Sequence, residues 1–131
     1  MIVVDASAMI EALISADAPD ELTRAVATRP LGAPHLLDIE VLSTLRGLER
    51  GRKLLPKDSD ALRETHFAMS IARYDAAPLS ERIWSLRHRC AAYDASYLAL
   101  AEGLDAPLLA CDERLRAADT PAELQIFPVA G

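Results

Sequence analysis

Two short segments of the chain consist entirely of apolar residues, and an aspartate directly follows each of them. Residues 1–4 precede Asp5, and residues 107–111 precede Asp112. A short apolar run of this kind is typical of a strand buried on both faces, as in parallel sheets covered by helices. Ligands of such sheets bind outside the carboxyl ends of the strands. Because right-handed crossovers align the strands, we expect both aspartates at one edge of the sheet.

Between and after these two segments, apolar residues recur with helical spacing. Helices are predicted over residues 6–15, 19–28, 36–50, 59–73, 80–90, 94–102 and 113–118. A very short strand is expected among Pro30, Gly32 and Pro34, a short strand or loop at residues 74–78, and a last strand at residues 124–129. Pro128 favours a sheet edge for that last strand. Strands alternating with helices predict one α/β domain over residues 1–131, a three-layer α/β/α sandwich with a mostly parallel central sheet.

The composition narrows the classes of protein to which the chain can belong. It has 14 Lys and Arg against 20 Asp and Glu, a formal net charge of −6, and 51% hydrophobic residues. The apolar content excludes a disordered chain, and the acidic balance argues against binding nucleic acid through bulk charge. Cys90 and Cys111 lack the spacing of metal ligands, and neither a signal peptide nor a membrane-spanning stretch is evident. We therefore expect a soluble, cytoplasmic protein.

Four acidic residues stand where predicted strands end or predicted helices begin: Asp5, Glu40, Asp94 and Asp112. Taken singly, each aspartate is explained as a turn or N-cap residue, and Glu40 as an exposed acid favoured by the helix dipole. Glu40, however, borders an apolar stripe, and the helix after Asp94 is so apolar that its start is expected to face into the protein. The four carboxylates can therefore share one pocket.

Carboxylates that share a cleft repel one another, which raises their pKa values or recruits cations. Oxygen ligands without His or Cys select Mg²⁺ or Mn²⁺ over zinc. Such sites suit hydrolysis of phosphodiester bonds, because the ion activates water and offsets the charge that develops on the phosphate and the leaving oxygen. Ser7, two residues after Asp5, is either a hydroxyl that orients the site or a plain N-cap.

Three segments of the chain resemble the motifs of PIN-domain nucleases. They are Ile-Val-Val-Asp-Ala-Ser at residues 2–7, Tyr-Asp-Ala-Ser-Tyr-Leu-Ala-Leu-Ala at 93–101, and Leu-Leu-Ala-Cys-Asp-Glu-Arg-Leu at 108–115. Glu40 lies between the first two segments, in the order and spacing of the family. The resemblance covers essentially the whole chain, whose length is similar to that of VapC-type toxins of bacterial toxin–antitoxin pairs.

The resemblance implies a PIN-like fold and a Mg²⁺- or Mn²⁺-dependent endoribonuclease whose metal site is formed by Asp5, Glu40, Asp94 and Asp112. Ser7 matches the small polar residue that the family carries near its first aspartate. The resemblance also implies a homodimer, an RNA substrate such as tRNA or rRNA, and a VapB-type antitoxin whose tail enters the acidic groove. Many relatives have Thr or Ser where this chain has Ala110, a change that removes a hydroxyl and leaves the carboxylates intact.

Two basic clusters are candidates for holding RNA phosphates around an acidic centre. One contains Arg46, Arg50, Arg52, Lys53 and Lys57, and the other contains Arg82, Arg87, His88 and Arg89. Each cluster is explained equally as a solvated helix face whose basic last turn suits the helix dipole. The sequence leaves these two interpretations open.

The aromatic and histidine residues give weaker signals. Trp84, Tyr93 and Tyr97 could stack on bases, but aromatic residues at helical positions more often belong to the core, and that interpretation is preferred here. No pair of histidines has the spacing of metal ligands, so all three are interpreted as structural or surface residues: His35, His66 and His88.

Two other classes of function compete with a nuclease. A receiver-like phospho-acceptor domain also places acids at strand ends, but Asp5 has no acidic neighbour in sequence and the only lysines are Lys53 and Lys57, both in mid-chain. A PIN-like module that binds a partner without catalysis is the second alternative, and the presence of all four acids argues against it. Motifs of nucleotide-binding loops are absent from the sequence.

Overall fold

The computed structural model describes residues 1–129 and contains a five-stranded sheet with helices on both faces. The elements in chain order are β1 (Ile2–Val4), α1 (Ala6–Ile14), α2 (Asp20–Thr28), β2 (Leu31–Pro34), α3 (Leu36–Arg50), α4 (Pro56–Ala68), β3 (Ile71–Tyr74), a 3₁₀ turn (Ala77–Leu79), α5 (Ser80–Ser85), α6 (Ala92–Leu104), β4 (Leu108–Ala110), a 3₁₀ helix (Glu113–Ala118) and β5 (Leu124–Ile126). Residues 130–131 of the predicted single domain lie outside the described part.

All neighbouring strands pair in parallel, in the order β3-β2-β1-β4-β5. From β1 the chain adds β2 and β3 on one side, then crosses over to add β4 and β5 on the other. The order therefore reverses between β1 and β4, which creates a crevice at their carboxyl ends. In that pair Val4 lies opposite Leu109, and the Asp5 N–H donates to the Leu109 carbonyl at 3.0 Å.

The two apolar segments occupy the centre of the sheet, as predicted. Every residue of β1 and β4 is fully buried. Helix α6 packs on β1, β2 and β4, and every residue from Ala95 to Ala101 is buried. Because the crossovers are right-handed, α1 to α4 cover the other face, where α1 contacts β4 and α3 contacts β2. The three-layer α/β/α expectation is confirmed.

The helix predicted over residues 59–73, with Pro56 and Asp58 opening it, is wrong at its C-terminal end. Helix α4 begins at Pro56, which suits the first helical position, and it ends at Ala68. Residues 71–74 form strand β3 instead of a last helical turn, because they pair in register with all four residues of β2. Sheet pairing therefore overrides the local helical pattern, and the strand or loop expected at residues 74–78 begins three residues earlier.

Several smaller boundaries also differ from the prediction. Helix α5 ends at Ser85, and a hydrogen-bonded turn follows it in place of helix up to residue 90. Helix α6 begins two residues before Asp94, which therefore lies inside the first turn and does not cap the helix. Strand β5 does form the sheet edge, but it ends at Ile126, so Pro128 lies beyond it. Within residues 1–129, no helix is both long enough and apolar enough to cross a membrane.

Candidate active site

The fold brings the four predicted acids to one edge of the sheet. Asp5 follows β1 directly and Asp112 follows β4 by two residues. Helices that connect parallel strands run antiparallel to them, so α3 and α6 begin at the same edge at which the strands end. Glu40 is the fifth residue of α3, and Asp94 is the third residue of α6. The acids therefore surround the crevice at the point where the strand order reverses.

Asp5 is the most deeply buried of these acids, with 7% of its surface exposed. Its Oδ1 accepts hydrogen bonds from the Ser7 hydroxyl at 2.6 Å and from the Ala8 N–H at 2.9 Å, so Asp5 is also the N-cap of α1. Burial raises the pKa of Asp5 to about 6, and the nearby charges of Asp94 and Glu40 raise it as well, although the two hydrogen bonds oppose the change. Negative charge is therefore concentrated around Asp5.

Ser7 connects the two strands that flank the crevice. Its hydroxyl donates to Asp5 and accepts from the backbone N–H of Cys111 at 3.0 Å. One hydroxyl thus links the end of β1 to the segment that carries Asp112. The interpretation of Ser7 as the N-cap is wrong, since Asp5 takes that position; the alternative, that Ser7 orients a carboxylate, agrees with these contacts.

Glu40 is fixed by a residue whose role the sequence did not reveal. The Tyr97 hydroxyl donates to Oε1 of Glu40 at 2.7 Å, and only 3% of the Tyr97 surface is exposed. Tyr97 follows Asp94 by three residues on α6, which places the two side chains on neighbouring positions of one helix face. The three-residue spacing from Asp94 to Tyr97 was the signal in the sequence. It places the tyrosine on the helix face that carries Asp94, and a buried tyrosine hydroxyl needs a hydrogen-bond partner.

Asp94 and Asp112 lie near a basic side chain that belongs to neither predicted basic cluster. Arg114 donates from Nη2 to Oδ2 of Asp112 at 2.8 Å and from Nε to Oδ1 at 3.0 Å. These bonds, with the Arg114 backbone N–H, hold the pKa of Asp112 below its ordinary value. Burial raises the pKa of Asp94, and so does the Asp112 charge, while Arg114 opposes both. The signal in the sequence was the two-residue spacing from Asp112 to Arg114.

The donor set suits a hard cation, because all four predicted ligands offer carboxylate oxygens. Burial is the main reason why the pKa of Asp5 is raised, and the charges of Asp94 and Glu40 add to it. In the described residues, however, no three acidic, histidine or cysteine side chains stand close enough together to hold an ion as they are placed. The four carboxylates therefore converge on one crevice without forming a complete coordination sphere among the described residues.

A match to a family model over most of the chain identifies its family. A family model described as "PIN domain" matches residues 2–121. The chain belongs to the PIN-domain family. This PIN domain is 42% identical over 115 residues to the VapC ribonuclease Mb0985 of Mycobacterium bovis, a match that covers 88% of each chain. The resemblance carried by the three motifs is confirmed.

Solved structures share the fold of this PIN domain at lower identity. PAE2754 from Pyrobaculum aerophilum superposes with a TM-score of 0.73 at 23% identity, over 94% of this chain and 81% of that one. VapC20 of Mycobacterium tuberculosis, a toxin that cleaves the sarcin–ricin loop, superposes with a TM-score of 0.65 at 19% identity, over 92% and 96% of the chains. The receiver-like alternative is wrong, since receivers have the strand order 2-1-3-4-5.

The side chains of the two basic clusters differ in how many contacts they already make within the PIN domain. Arg87 lies over the Trp84 ring at 4.6 Å, and Arg89 donates to the Ala118 and Asp119 carbonyls. The second cluster is therefore largely occupied by contacts within the protein. The first cluster is exposed and forms no ion pair within residues 1–129: Arg46, Arg50, Arg52, Lys53 and Lys57.

The members of the first cluster lie at different distances from the acids. Arg46 lies about 1.7 turns after Glu40 on α3, about 9 Å along the helix axis, and Arg50 lies about 15 Å along it. Arg52 and Lys53 follow beyond the end of the helix. Arg46 is therefore the member of this cluster nearest to Glu40 along α3, and Arg114 is the basic residue in direct contact with a predicted ligand.

The preferred interpretation of the aromatic residues holds for only one of the three. Tyr97 is in the core, but Trp84 is 68% exposed and Tyr93 is 64% exposed. Helix periodicity did not predict this, because α5 is short and Tyr93 lies in the first turn of α6, where the core face has barely begun. The histidines are structural or surface residues, as expected: His66 is fully buried against Asp38, and His35 is exposed beside Asp75.

Proposed function

We propose that this PIN domain is a metal-dependent endoribonuclease, and that it serves as the toxin of a toxin–antitoxin pair. The observation that carries the proposal is the convergence of Asp5, Glu40, Asp94 and Asp112 on the crevice between β1 and β4, with Asp5 buried in a field of like charge. A ribonuclease of the VapC type, 42% identical over 88% of the chain, supports the same activity.

The four acids are the proposed ligands of Mg²⁺ or Mn²⁺. Such an ion supplies Lewis-acid chemistry when bound: it acidifies water and offsets negative charge on a phosphodiester. Ser7 holds Asp5 in one rotamer and keeps the ends of β1 and β4 together. Arg114 pairs with Asp112, and its exposed guanidinium would also be suited to a phosphate oxygen of the substrate.

The proposed partners follow from the same assignment. The substrate is RNA, and a structured ribosomal or transfer RNA is in keeping with VapC20, a toxin of the same fold that cleaves the sarcin–ricin loop. A VapB-type antitoxin, homodimer formation and a cytoplasmic location complete the proposal. Arg46 and Arg114 are the basic side chains that we expect to contribute most to RNA binding, since they lie nearest to the acids in their respective segments.

Substitution of the ligands tests this function. We expect Asp5→Asn, Asp94→Asn and Asp112→Asn each to reduce Mn²⁺-dependent cleavage of total RNA by about a hundredfold or more, as when a group that stabilises transition-state charge is lost. Each variant should keep the far-UV circular dichroism spectrum of the wild type. Asp17→Asn is the matched control, because Asp17 is an exposed aspartate outside the site.

Two results together would contradict the proposed nuclease function. Wild-type protein that cleaves no RNA in Mn²⁺, together with three variants as toxic in cells as the wild type, would leave the non-catalytic binding module as the better description.

A further inference from the structure

Tyr97 is a buried polar side chain at the rim of the proposed metal site. Its ring belongs to the hydrophobic core, and its hydroxyl leaves the core to donate to Oε1 of Glu40 at 2.7 Å. The two residues are 57 positions apart in sequence, so this bond joins α6 to α3 across the crevice. It is the only hydrogen bond between side chains of those two helices among the described residues.

The hydroxyl is suited to be a permanent donor. Burial raises the pKa of Tyr97, and the hydrogen bond to Glu40 and the charges of Glu40, Asp5 and Asp94 raise it further. The hydroxyl carries the hydrogen of this bond, so Tyr97 donates and the Glu40 carboxylate oxygen accepts.

The bond restricts the freedom of Glu40. A glutamate has three rotatable side-chain bonds, and fixing such a side chain costs about 1–2 kcal/mol of conformational entropy. Glu40 is only half-buried, and no arginine or lysine pairs with it within residues 1–129. Among the described residues, Tyr97 therefore provides the one hydrogen bond to the Glu40 carboxylate.

We propose that Tyr97 is a positioning residue that holds the Glu40 carboxylate in the crevice, ready to receive the divalent ion. This inference rests on the proposed function, because it gives Glu40 the role of a ligand. Groups that orient metal ligands by hydrogen bonds typically contribute 10- to 100-fold to metal affinity or activity. The alternative is that Glu40 merely satisfies a buried phenol, in which case losing the hydroxyl affects stability alone.

The variant Tyr97→Phe separates these alternatives, because it removes the hydroxyl and keeps the ring. Mn²⁺ binding to the metal-free chain is measured by isothermal titration calorimetry, and kcat and KM are measured on an RNA oligonucleotide. We expect Mn²⁺ affinity to fall by about tenfold, with a fall in kcat and a KM for RNA within about twofold of the wild type. Tyr93→Phe is the matched control: it lies one turn earlier on α6 and is exposed.

A double-mutant cycle makes the test independent of general effects on stability. If Tyr97 acts through Glu40, Tyr97→Phe adds nothing to the loss of Mn²⁺ affinity caused by Glu40→Gln. Should Tyr97→Phe fail to fold, Glu40→Asp provides the second test: it keeps the charge and withdraws the carboxylate from the Tyr97 hydroxyl, and we expect it also to weaken Mn²⁺ binding by about tenfold.

The outcomes distinguish this inference from the function on which it rests. A Tyr97→Phe protein that matches Tyr93→Phe in Mn²⁺ affinity and kcat, with only its melting temperature lowered, overturns the inference and leaves the nuclease intact. A Glu40→Asp protein with wild-type Mn²⁺ affinity also overturns it. Wild-type protein that neither binds Mn²⁺ nor cleaves RNA overturns the proposed function, and this inference falls with it.

Discussion

At the scale of single residues, the charged form of Asp5 is needed for the proposed activity but lowers the stability of the fold. The pKa of its carboxyl is about 6 in the folded protein, against an ordinary value of 3.8. A folded state that holds this proton more tightly than the unfolded chain is favoured at low pH. The corresponding stability is fully present below pH 3.8 and is lost as the pH rises through about 6. At neutral pH, the charge needed for the proposed function therefore works against folding.

We accordingly expect Asp5→Asn to stabilise the metal-free protein at pH 7.5 by about 1–3 kcal/mol, since one pKa unit corresponds to about 1.4 kcal/mol. Asparagine can accept the same hydrogen bonds from Ser7 and Ala8 without carrying a charge. Calorimetric melting in EDTA at pH 4, 5.5 and 7.5 should show the advantage growing with pH, while Asp17→Asn follows the wild type. An Asp5→Asn protein that melts below the wild type at pH 7.5 would contradict the assignment.

At the scale of elements, one polar network ties β3 to the two helices before it. Oδ2 of Asp38 accepts from Arg73 Nε at 2.7 Å, and Oδ1 lies 2.8 Å from His66 Nε2. Burial alone would raise the pKa of Asp38, but the bonds from Arg73 and His66 outweigh it and hold the pKa below its ordinary value. The network joins α3, α4 and β3, so it stabilises the strand that the helical pattern failed to predict.

Removing the charge at the centre of this network should weaken the fold. We expect Asp38→Asn to lower the free energy of unfolding at pH 7 by about 2–3 kcal/mol, because it leaves a partly buried Arg73 without its counter-charge. In the wild type this contribution is present above the ordinary carboxyl pKa and is lost as the pH falls through the depressed value. Urea unfolding between pH 3 and 7 measures both effects.

Asp60→Asn is the control for that measurement. Asp60 pairs with Arg63 on the exposed face of α4, and exposed pairs contribute about 0–1 kcal/mol. Equal losses of stability for Asp38→Asn and Asp60→Asn would show that the network does not hold β3 in place.

At the scale of the whole molecule, the net charge of −6 is partly a property of the site. Without the four proposed ligands, the chain has 14 basic residues against 16 acidic ones. A divalent ion bound by these carboxylates would cancel part of that charge locally. Much of the net negative charge that argued against RNA binding thus belongs to the site proposed to cut RNA. The exposed basic cluster that follows Glu40 lies outside that site.

Divalent ions should therefore stabilise the entire domain. At a free Mn²⁺ concentration one hundred times its Kd, we expect a gain of about 2.7 kcal/mol in the free energy of unfolding. Thermal melting with and without Mn²⁺ measures this gain as a rise in Tm of several degrees. Asp94→Asn should lose most of the rise and Asp17→Asn should keep it. An equal rise in both variants would indicate that the ion binds elsewhere.

The ends of the two apolar strands could be predicted because a strand buried on both faces allows few residue types and leaves a visible apolar run. The positions of Glu40 and Asp94 near helix starts could also be predicted, because the apolar residues of these helices recur with helical spacing. Strand β3 could not be predicted from its own residues, because its pairing with β2 and the Asp38–Arg73 bond are decided by groups distant in sequence. Exposure of Trp84 and Tyr93 likewise depends on how little of α5 and of the start of α6 the core covers.

The sequence by itself determined the α/β architecture and the family and identified the four acids as candidate ligands, since these depend on local pattern and on the order of motifs along the chain. Only the tertiary structure decided which groups act on those acids. Ser7 contacts both Asp5 and Cys111, Tyr97 reaches Glu40, and Arg114 pairs with Asp112. Hydrogen bonds and charges act over a few ångströms in space, whatever the separation in sequence, and the crossing of the chain from β3 to β4 brings these groups within that range.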